Sequence, residues 1–346
     1  MFGGGIIEFL KSLKAIAPEA IDILERRYMI LKTIAFRQPV GRRSLAIELE
    51  LSERVTRSEL DTLKGLRLLN SDNMGMYVTD LGLELLEDLD DAYSTIKGIP
   101  ELTARVVKTT GIKKVLIVPG DSSASSLVLS EMGRSAARML LQSLGSKDVI
   151  GVTGGSTMAV VADVISSNVR YPEVTVIPAR GGLGTDIYTQ SNSIAAKISQ
   201  ALGAKYRLLY LPDSMGEEAM KLALGNEEIK KILEDIDSMR VLLFGIGRAD
   251  TMARRRAIQE KKLNELMSQN AVAEAFGHYF DINGKDLWEY KTVGLSLETY
   301  LKVPKVIGVA GGTEKAEAII AVSSIRKDIA LVIDEAVANR IIEITN

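Results

Sequence analysis

Seven short apolar segments alternate with helical patterns through the C-terminal part of this chain, and they limit its possible folds more than any other feature. Each is nearly continuous in apolar residues, as expected of a strand that is buried on both faces. Such strands, alternating with helices, form a parallel sheet covered by helices. We therefore predict a doubly wound α/β domain over residues 111–346. The segments are 113–118, 148–152, 174–178, 206–211, 240–245, 305–310 and 329–333.

Residues 41–69, upstream of these strands, follow a helical pattern that is interrupted by a short turn. Apolar residues recur at helical spacing and predict a half-buried helix from Arg42 to Glu50. Ser52 belongs to the residue types favoured at a helix N-terminus, and we expect it to cap a second helix. The segment therefore predicts a helix, a tight turn and another helix.

The second of these helices has two chemically different stripes. Thr56, Leu60 and Leu63 lie on one stripe and are expected to pack inward. The opposite stripe suits the DNA major groove, since arginine can bond guanine edges and lysine can meet phosphate. Its members are Arg54, Arg57, Asp61 and Lys64.

Flanking patterns complete a winged helix-turn-helix. Pro18 opens a long amphipathic helix upstream, and Thr79 caps another helix downstream. Between them, Arg67–Asn70 and Met76–Val78 predict two short strands around a turn. We predict that residues 1–90 form a winged helix-turn-helix domain that binds double-stranded operator DNA. The expected DNA contacts are Arg42, Arg43, Ser52, Arg54, Thr56, Arg57 and Lys64.

The charge distribution favours DNA over other partners. Between residues 26 and 67, ten Lys or Arg stand against five acids, a local net charge of plus five, whereas the whole chain carries minus two. Positive charge is thus concentrated where phosphates would lie. Two alternatives remain open: the basic residues solvate an exposed face, or the winged helix binds a protein.

Length and composition bound the rest of the chain. At 346 residues it is long enough for two domains, which we place at 1–90 and 111–346 with a helical linker at 91–110. Cysteine is absent, which excludes disulfides and thiolate metal sites, and no metal site is expected. The sequence has neither the order of a signal peptide nor a run long enough to span a membrane, so we expect a cytoplasmic protein with no membrane partner.

Glycine-rich loops follow four of the expected strands. They are TGGST at 153–157, ARGGLGTD at 179–186, GIGRAD at 245–250 and GGTEKAEAI at 311–319. In a doubly wound sheet, ligands bind beyond the carboxyl ends of the strands. Glycine lets the backbone approach a ligand closely, and amides at a helix start attract anions. One such loop alone would mark only a tight turn, but together the loops predict a site for a phosphorylated ligand.

The spacing of these glycines disfavours a nucleotide. No loop has the Gly-Lys-Ser/Thr ending of the phosphate loop in nucleoside triphosphatases. Gly245 and Gly247 begin the dinucleotide pattern, but Asp250 stands where its third glycine belongs. A small sugar phosphate is therefore the preferred ligand.

The loops and the helix-turn-helix together resemble the SorC-type bacterial repressors. The resemblance covers nearly the whole chain and lies in PVGRRSL, LSERVTRSEL, SEMGRSAARML, VTGGST, IPARGGLG, TMARRR, EAFGHYF and VAGGTEKAEAI. It implies a winged helix fused to a sugar-phosphate-binding domain whose ligand relieves repression. In the members that this chain resembles most, the genes are those of lower glycolysis and the effector is fructose 1,6-bisphosphate. A tetramer of two dimers is implied as well.

The same resemblance assigns the effector-binding residues. The phosphate-holding glycine loop of the family is matched with one modest change, a serine for a common threonine at position 156, which keeps the hydroxyl. No cofactor is expected besides the effector. The implied effector-binding residues are Gly154, Gly155, Ser156, Thr157, Arg180, Gln190, Arg255, Arg256, Glu274 and Lys315.

Side-chain chemistry agrees with these roles. Ser156 and Thr157 offer hydroxyls beside helix-start amides, and arginines on separate loops can meet a second phosphate bidentately. Glu274 repels phosphate but can accept hydrogen bonds from sugar hydroxyls. Lys315 at a helix start opposes the helix dipole unless an anion is present. Two alternatives stay open: Arg254–Arg256 form a solvated helix face, or Glu274 pairs with a neighbouring arginine.

An enzyme related to sugar-phosphate isomerases or deaminases is the alternative function. Such enzymes need a general base over the sugar carbons. The only histidine, His278, lies in the aromatic-flanked EAFGHYF and is expected to pack. The loop at 245–250 continues as GRADTM instead of through the catalytic aspartate and histidine of the deaminases, and Asp250 or Glu274 has no apparent catalytic partner. The sequence thus favours a DNA-binding regulator that forms at least a dimer, because such operators are bipartite.

Overall fold

The structure, a computed structural model, describes residues 3–345. It also describes the side chains of these residues, except those of residues 3–8, 11 and 217. The chain divides into two compact units between Pro100 and Glu101. Within the described residues, no helix combines the length and the apolar character needed to cross a membrane.

The first unit is a helical domain with a small antiparallel sheet. Its elements are α1 (Gly3–Ile16), α2 (Pro18–Arg37), α3 (Arg42–Glu48), α4 (Glu53–Gly65), β1 (Leu69–Ser71), β2 (Met76–Val78) and α5 (Asp80–Ile96). The succession of helix, turn, helix and two-stranded wing confirms the winged helix-turn-helix. The stretch 91–110 is helical up to Ile96 and again through α6 (Ile99–Thr110).

The helices of the helix-turn-helix begin and end where local chemistry requires. α3 ends at Glu48, two residues before the expected Glu50, because Glu50 has a left-handed backbone with a φ of 53°. Ser52 caps α4 as expected, and its Oγ accepts a hydrogen bond from the Val55 N–H at 3.3 Å. Thr79 caps α5 in the same way and accepts from the N–H three residues ahead at 3.1 Å.

One face of α4 packs inward and the other faces solvent, as its sequence predicts. Leu60 and Leu63 are buried in a core that also contains Tyr28 and Leu31 of α2. Thr56 is fully buried beside them. The outward stripe, by contrast, is exposed along its whole length, at Arg54, Arg57, Asp61 and Lys64.

The wing is a short hairpin with a fixed turn. β1 and β2 pair antiparallel, with Leu69 opposite Val78. Asp72 accepts hydrogen bonds from the N–H groups of Met74 and Gly75, at 2.7 and 3.1 Å. The turn is therefore held by a side chain and does not depend on strand pairing alone.

The second unit, within residues 101–345, contains a seven-stranded parallel sheet, which confirms the doubly wound α/β fold. Its strands, in order across the sheet, are β3 (Lys114–Val118), β13 (Ala330–Asp334), β12 (Lys305–Val309), β7 (Val241–Gly245), β4 (Val149–Val152), β5 (Thr175–Pro178) and β6 (Lys205–Tyr206). All of β13 and the first four residues of β7 are buried, so both faces of the sheet are covered.

Helices lie between these strands along the second unit, and several of them pack on the sheet. They are α7 (Ser126–Ser143), α8 (Ser156–Val164), α9 (Ser191–Leu202), α10 (Glu217–Ala223), α11 (Glu227–Ser238), α12 (Ala249–Arg255), α13 (Glu260–Ser268), α14 (Leu297–Lys302), α15 (Ala316–Ile325) and α16 (Glu335–Thr345). The chain winds outward from β4 through β5 to β6, and in the other direction from β7 through β12 to β13. At this reversal the loops after β4 and β7 diverge and leave a crevice.

The strand expected at 206–211 is mostly wrong. β6 ends at Tyr206. The Arg207 N–H still donates to the carbonyl of Val176 on β5 at 3.2 Å, but the backbone from Leu209 onward bonds to groups outside the strands. The side chain of Asn192 pairs with both the N–H and the carbonyl of Leu209, at 2.9 and 3.0 Å, and the Gly182 N–H donates to the carbonyl two residues further at 2.8 Å. Leu209 is buried all the same, which explains the apolar run.

A second sheet in this unit is antiparallel, and the sequence does not predict it. Its strands in spatial order are β11 (Asp286–Glu289), β10 (His278–Phe280), β9 (Ala273–Ala275) and β8 (Gly247–Arg248). Strands this short show no clear alternation of apolar and polar residues. Since β8 follows β7 directly, this sheet places Glu274 of β9 opposite Gly247, next to the crevice.

Glu59→Gln should loosen α4 from α2. Glu59 is buried, and its carboxylate pairs with Arg26 at 3.2 Å and with Arg27 at 2.8 Å. Both arginines are about one third exposed and therefore partly solvated. We expect the loss of their charge partner to lower the free energy of unfolding of the first unit by about 1–2 kcal/mol. Amide hydrogen exchange in α2 and α4 of the full chain measures this. Glu53→Gln, which changes an exposed acid of the same helix, is the control, and equal exchange in both variants would contradict the prediction.

Candidate functional site

A cavity of about 320 Å³ opens beside the winding reversal, at the carboxyl ends of β4, β5, β7 and β12. The loops after these strands form its walls, together with residues 189–191 at the start of α9, Asp213, and residues 274–276 of β9 and the turn after it. Of the ten effector-binding residues expected from the sequence, Arg256 is the one outside this lining. The nine that line the cavity are Gly154, Gly155, Ser156, Thr157, Arg180, Gln190, Arg255, Glu274 and Lys315.

The loop after β4 has the geometry of an anion seat. Gly155 has a φ of 122°, which strains any residue with a side chain, and α8 begins directly after it at Ser156. A Cβ at Gly154 would lie 2.7 Å from the carbonyl oxygen of Thr189, so the loop has no room for a larger residue there. The first N–H groups of a helix have no partner within the helix, and they attract anions. With the hydroxyls of Ser156 and Thr157, they can hold a phosphate.

The loop after β5 is held by close backbone contacts and by Gln190. A Cβ at Gly181 would lie 2.4 Å from the carbonyl oxygen of Pro212, so the two segments pack backbone to backbone. The Gln190 amide donates to the carbonyls of Leu183 and Gly184 at 2.8 and 3.1 Å, and it accepts from the Leu183 N–H at 3.1 Å. Gln190 lines the cavity, but these bonds show that it fixes the shape of the loop.

Two arginines and two carboxylates form a closed ring of ion pairs, which we call the charge ring. The guanidinium of Arg180 lies 2.9 Å from Asp213 and 3.2 Å from Glu274. That of Arg256 contacts the same two carboxylates, at 2.9 and 3.0 Å. The side chain of Arg180 is 11% exposed and that of Arg256 is 1% exposed. The ring is neutral overall and ties the loop after β5 to β9 and to the end of α12.

Pairing controls the protonation states in the charge ring. Burial by itself would raise the pKa of Glu274, but Arg180, Arg256 and the Gly277 N–H outweigh burial and hold the pKa below its usual value. Burial also opposes the charge of Arg256, and Glu274 and Asp213 nevertheless raise its pKa. A direct contact of Arg256 with phosphate does not fit this position, because carboxylates occupy its guanidinium. Pairing of Glu274 with arginine, one of the open alternatives, is what the structure contains.

Arg255 and Lys315 are cavity cations whose charges are not compensated by a close carboxylate. Arg255 is exposed at the end of α12, and Lys315 lies partly buried just before α15. Neither has a carboxylate within 4.0 Å among the residues that the structure describes. Burial lowers the pKa of Lys315, and the charges of Glu314 and Asp334 offset this only in part. An anion bound beside either cation would therefore stabilise its charge.

Arg248 and Asp213 also line the cavity, although sequence reasoning does not select them. Arg248 pairs with Asp250 through two contacts, of 3.0 and 2.9 Å. It belongs to the glycine-rich loop after β7, and a cation in a loop at the carboxyl end of a strand could have indicated a cavity-lining residue. Asp213 lies two residues after the apolar run at 206–211, and an acid close behind an expected strand was the corresponding signal.

The groups considered as general bases are all engaged by other side chains. Burial opposes ionisation of Asp250, but its pairing with Arg248 keeps the pKa below the usual value. Glu274 is held ionised in the charge ring. His278 lies on β10, with its Nδ1 2.7 Å from Asp286, and it is not among the residues that line the cavity. General base catalysis near neutral pH needs a group that titrates there, and these carboxylates do not.

The expected DNA contacts of the first unit divide into structural groups and exposed cations. Ser52 caps α4, as described above. Thr56 is buried, and its Oγ1 donates to the carbonyl of Ser52 at 3.0 Å. The expected contact of Thr56 with DNA is therefore wrong in this position, because the side chain has no access to a ligand. The exposed cations are Arg42, Arg43, Arg54, Arg57 and Lys64.

A groove of about 180 Å³ lies between α4 and the wing. Arg42, Arg57 and Lys64 line it on the side of the helices, and the wing contributes residues 71, 72, 75 and 76. Other basic residues of the segment are neutralised within the unit, since Arg26 and Arg27 pair with Glu59, Lys32 with Asp90 and Arg37 with Glu48. The positive surface is therefore narrower than the local net charge suggests, and it centres on α4.

Known proteins match both units. A family described as a sugar-binding domain matches residues 94–343, and one described as the CggR N-terminal DNA-binding domain matches residues 23–93. A solved SorC family transcriptional regulator from Enterococcus faecalis superposes with a TM-score of 0.66 at 35% identity, over 70% of this chain and 99% of that chain. The chain belongs to the SorC-type family of sugar-binding transcriptional regulators.

Among SorC-type regulators, two relatives match nearly the whole length. The chain is 38% identical over 330 residues to the central glycolytic genes regulator of Priestia megaterium, covering 95% of this chain and 96% of that protein. It is 35% identical over 335 residues to the regulator of the same name from Bacillus subtilis, covering 97% and 98%. These relatives are transcriptional regulators, and this SorC-type chain is a regulator and not an enzyme.

Glu274→Gln should change how the stability of the second unit depends on pH. The pKa of Glu274 is lower in the folded than in the unfolded state. Its ionisation therefore stabilises the fold above the unfolded value of about 4.3, and this contribution is lost as the pH falls through the lowered pKa. At neutral pH the variant should be less stable by about 3–5 kcal/mol, because two buried arginines lose a partner.

The difference between the Glu274→Gln variant and the wild type should shrink as the medium becomes acidic. Urea unfolding can be followed by the fluorescence of Trp288, the single tryptophan of the chain, which packs on Tyr279 near the charge ring. A stability difference that stays constant from neutral pH to well below the usual glutamate pKa would show that Glu274 is not held ionised by the ring.

Thr56→Val and Arg57→Ala should affect different properties. Thr56→Val removes a buried hydroxyl, so the first unit should lose about 1 kcal/mol of stability while the folded protein keeps its DNA affinity.

Arg57→Ala should leave stability unchanged and reduce the favourable free energy of operator binding by about 1–3 kcal/mol, with relaxed preference at one base pair. Lys64→Ala, the control, should weaken binding to all sequences alike. Thermal unfolding and DNA anisotropy measure the two effects, and normal operator binding by Arg57→Ala across a salt series would place α4 outside the groove.

Proposed function

We propose that this chain is a transcriptional repressor of glycolytic genes, which binds an operator through its winged helix and releases it when a phosphorylated sugar occupies the cavity. Fructose 1,6-bisphosphate is the effector that we favour. Two relatives that match over nearly the whole chain are central glycolytic genes regulators, which supports this choice of genes. We place the protein in the cytoplasm, where such operators are read.

The observation that carries the proposal is one anion seat and two uncompensated cations around a single cavity. Ser156 and Thr157 at the start of α8 can hold one phosphate with amides and hydroxyls. Arg180 is held by carboxylates, so Arg255 and Lys315 remain for a second phosphate. A sugar with phosphates at both ends can bind the anion seat through one phosphate and Arg255 and Lys315 through the other.

Glu274 offers a contact for the sugar itself. Its contacts with the two arginines and with the Gly277 N–H all use Oε1. Among the described residues no such contact uses Oε2, and Glu274 is one of the residues that line the cavity. An ionised carboxylate accepts hydrogen bonds from sugar hydroxyls and repels phosphate, so it would orient the effector with its hydroxyls toward β9.

Release from DNA requires that the effector bind the low-affinity arrangement more tightly. Operators read by such helices are bipartite, so we propose at least a dimer, and the family resemblance implies a tetramer of two dimers. A shift from mostly bound to mostly free needs about 5 kcal/mol of differential affinity. In an assembly with several effector sites, each site would supply only part of this differential binding free energy.

Arg255→Ala should reduce the preference for fructose 1,6-bisphosphate over fructose 6-phosphate. The variant loses a charged contact of about 1.5–3 kcal/mol with the bisphosphate, and it loses less with the monophosphate, which leaves one anion position empty. Thr157→Val should lower the affinity for both sugars by similar factors, because it alters the anion seat at the start of α8 that both sugars use. Titration calorimetry on the full-length wild type and the two variants, each with both sugars, measures the six affinities.

Arg254→Ala is the matched control for these titrations. Arg254 is the exposed neighbour of Arg255, pairs with Asp250 at 3.3 Å and is not among the cavity-lining residues, so its loss should leave both affinities at the wild-type value. Equal affinity of the wild-type protein for the two sugars, or an Arg255→Ala variant with its full preference, would exclude a second phosphate position.

A further inference from the structure

Asp61 is an acidic residue in the middle of the groove-facing stripe of α4. It lies one helical turn after Arg57 and one turn before Lys64, and it is exposed. It also lines the groove between α4 and the wing together with these two cations. DNA phosphates repel a carboxylate in this position. Its presence on a basic, DNA-facing stripe therefore requires a physical reason.

The carboxylate of Asp61 is not used to hold the protein together. The other acids of α4 are engaged, Glu53 at 3.7 Å from Arg43 and Glu59 with two arginines of α2. Asp72, the acid of the wing turn, accepts two backbone hydrogen bonds. Within residues 3–345, the Asp61 side chain has no hydrogen bond and no cation within 4.0 Å. Its oxygens are therefore available to a ligand in the groove.

We propose that Asp61 reads a cytosine in the major groove of the operator, an inference that rests on the proposed operator binding. Cytosine presents its N4 amino group there, and a carboxylate can accept a hydrogen bond from it. Guanine and thymine present acceptors that repel a carboxylate, and adenine places the acceptor N7 beside its N6 donor. Cytosine is thus the base whose edge compensates the charge of Asp61 without adding repulsion.

Helix geometry fixes where this cytosine lies. Residues four apart in a helix are separated by about 6 Å along its axis, and base pairs are stacked about 3.4 Å apart. With α4 along the groove, the base pair read by Asp61 therefore lies about two steps from the one read by Arg57. Since arginine pairs with guanine, the operator should contain a guanine and a cytosine at this spacing.

Selection of duplexes from a random-sequence pool by the full-length protein tests this inference. The wild-type motif should contain a cytosine about two steps from the guanine whose selection Arg57→Ala abolishes. Asp61→Asn should replace that cytosine by adenine, because an asparagine amide bonds both N6 and N7 of adenine. Asp61→Ala should accept any base there, with discrimination reduced about 5- to 100-fold at this position alone.

Glu50→Gln is the matched control for charge. Glu50 is an exposed acid in the turn before α4, so this variant removes the same charge away from the groove-facing stripe. It should bind all duplexes slightly more tightly and keep the wild-type motif. An Asp61→Asn variant that also keeps the wild-type motif, with uniformly tighter binding, would overturn the proposal. If the wild-type protein selects no motif, operator binding itself fails, and the reading of cytosine fails with it.

Discussion

The charge ring of Arg180, Asp213, Arg256 and Glu274 is the interaction on which the shape of the cavity at the carboxyl ends of the strands depends. Its members come from separate loops and strand ends, and each is almost entirely removed from water. Loss of one member would leave an unpaired buried charge, which is among the most destabilising changes in a protein. The ring fixes the loop after β5 and the end of α12, and it thereby sets the position of Arg255, which directly precedes Arg256 in the chain.

Each unit contains two kinds of cation. Those of the first kind pair with buried carboxylates and hold structural elements together, and those of the second kind have no close carboxylate and can bind an anion. In the second unit the ring holds two arginines, and the uncompensated charges at the cavity are Arg255 and Lys315. In the first unit Glu59 holds two arginines of α2 against α4, and the outward cations of α4 stay exposed. Paired charges are neutral at long range, so, in the part of the chain that the structure describes, the attraction for phosphate is concentrated in cations without a close carboxylate.

The parts of this structure that follow from local sequence were predictable, and those that depend on distant partners were not. Strands buried on both faces have a nearly continuous apolar sequence, and the anion seat needs glycine at 154 and 155 for steric reasons. The burial of Arg256 depends on Asp213 and Glu274, which no spacing pattern connects to it. The run at 206–211 leaves the sheet because the Asn192 amide takes over the backbone of Leu209, an interaction that apolar content does not indicate.

The most direct test of the link between cavity and operator is a titration of fructose 1,6-bisphosphate into a preformed complex of the full-length protein with a labelled, selected duplex, followed by anisotropy. We expect the bisphosphate to release the DNA. Thr157→Val should need a higher sugar concentration for release while it binds DNA normally without sugar. A complex that survives a bisphosphate concentration at which calorimetry shows the sugar to be bound would contradict the proposed regulation.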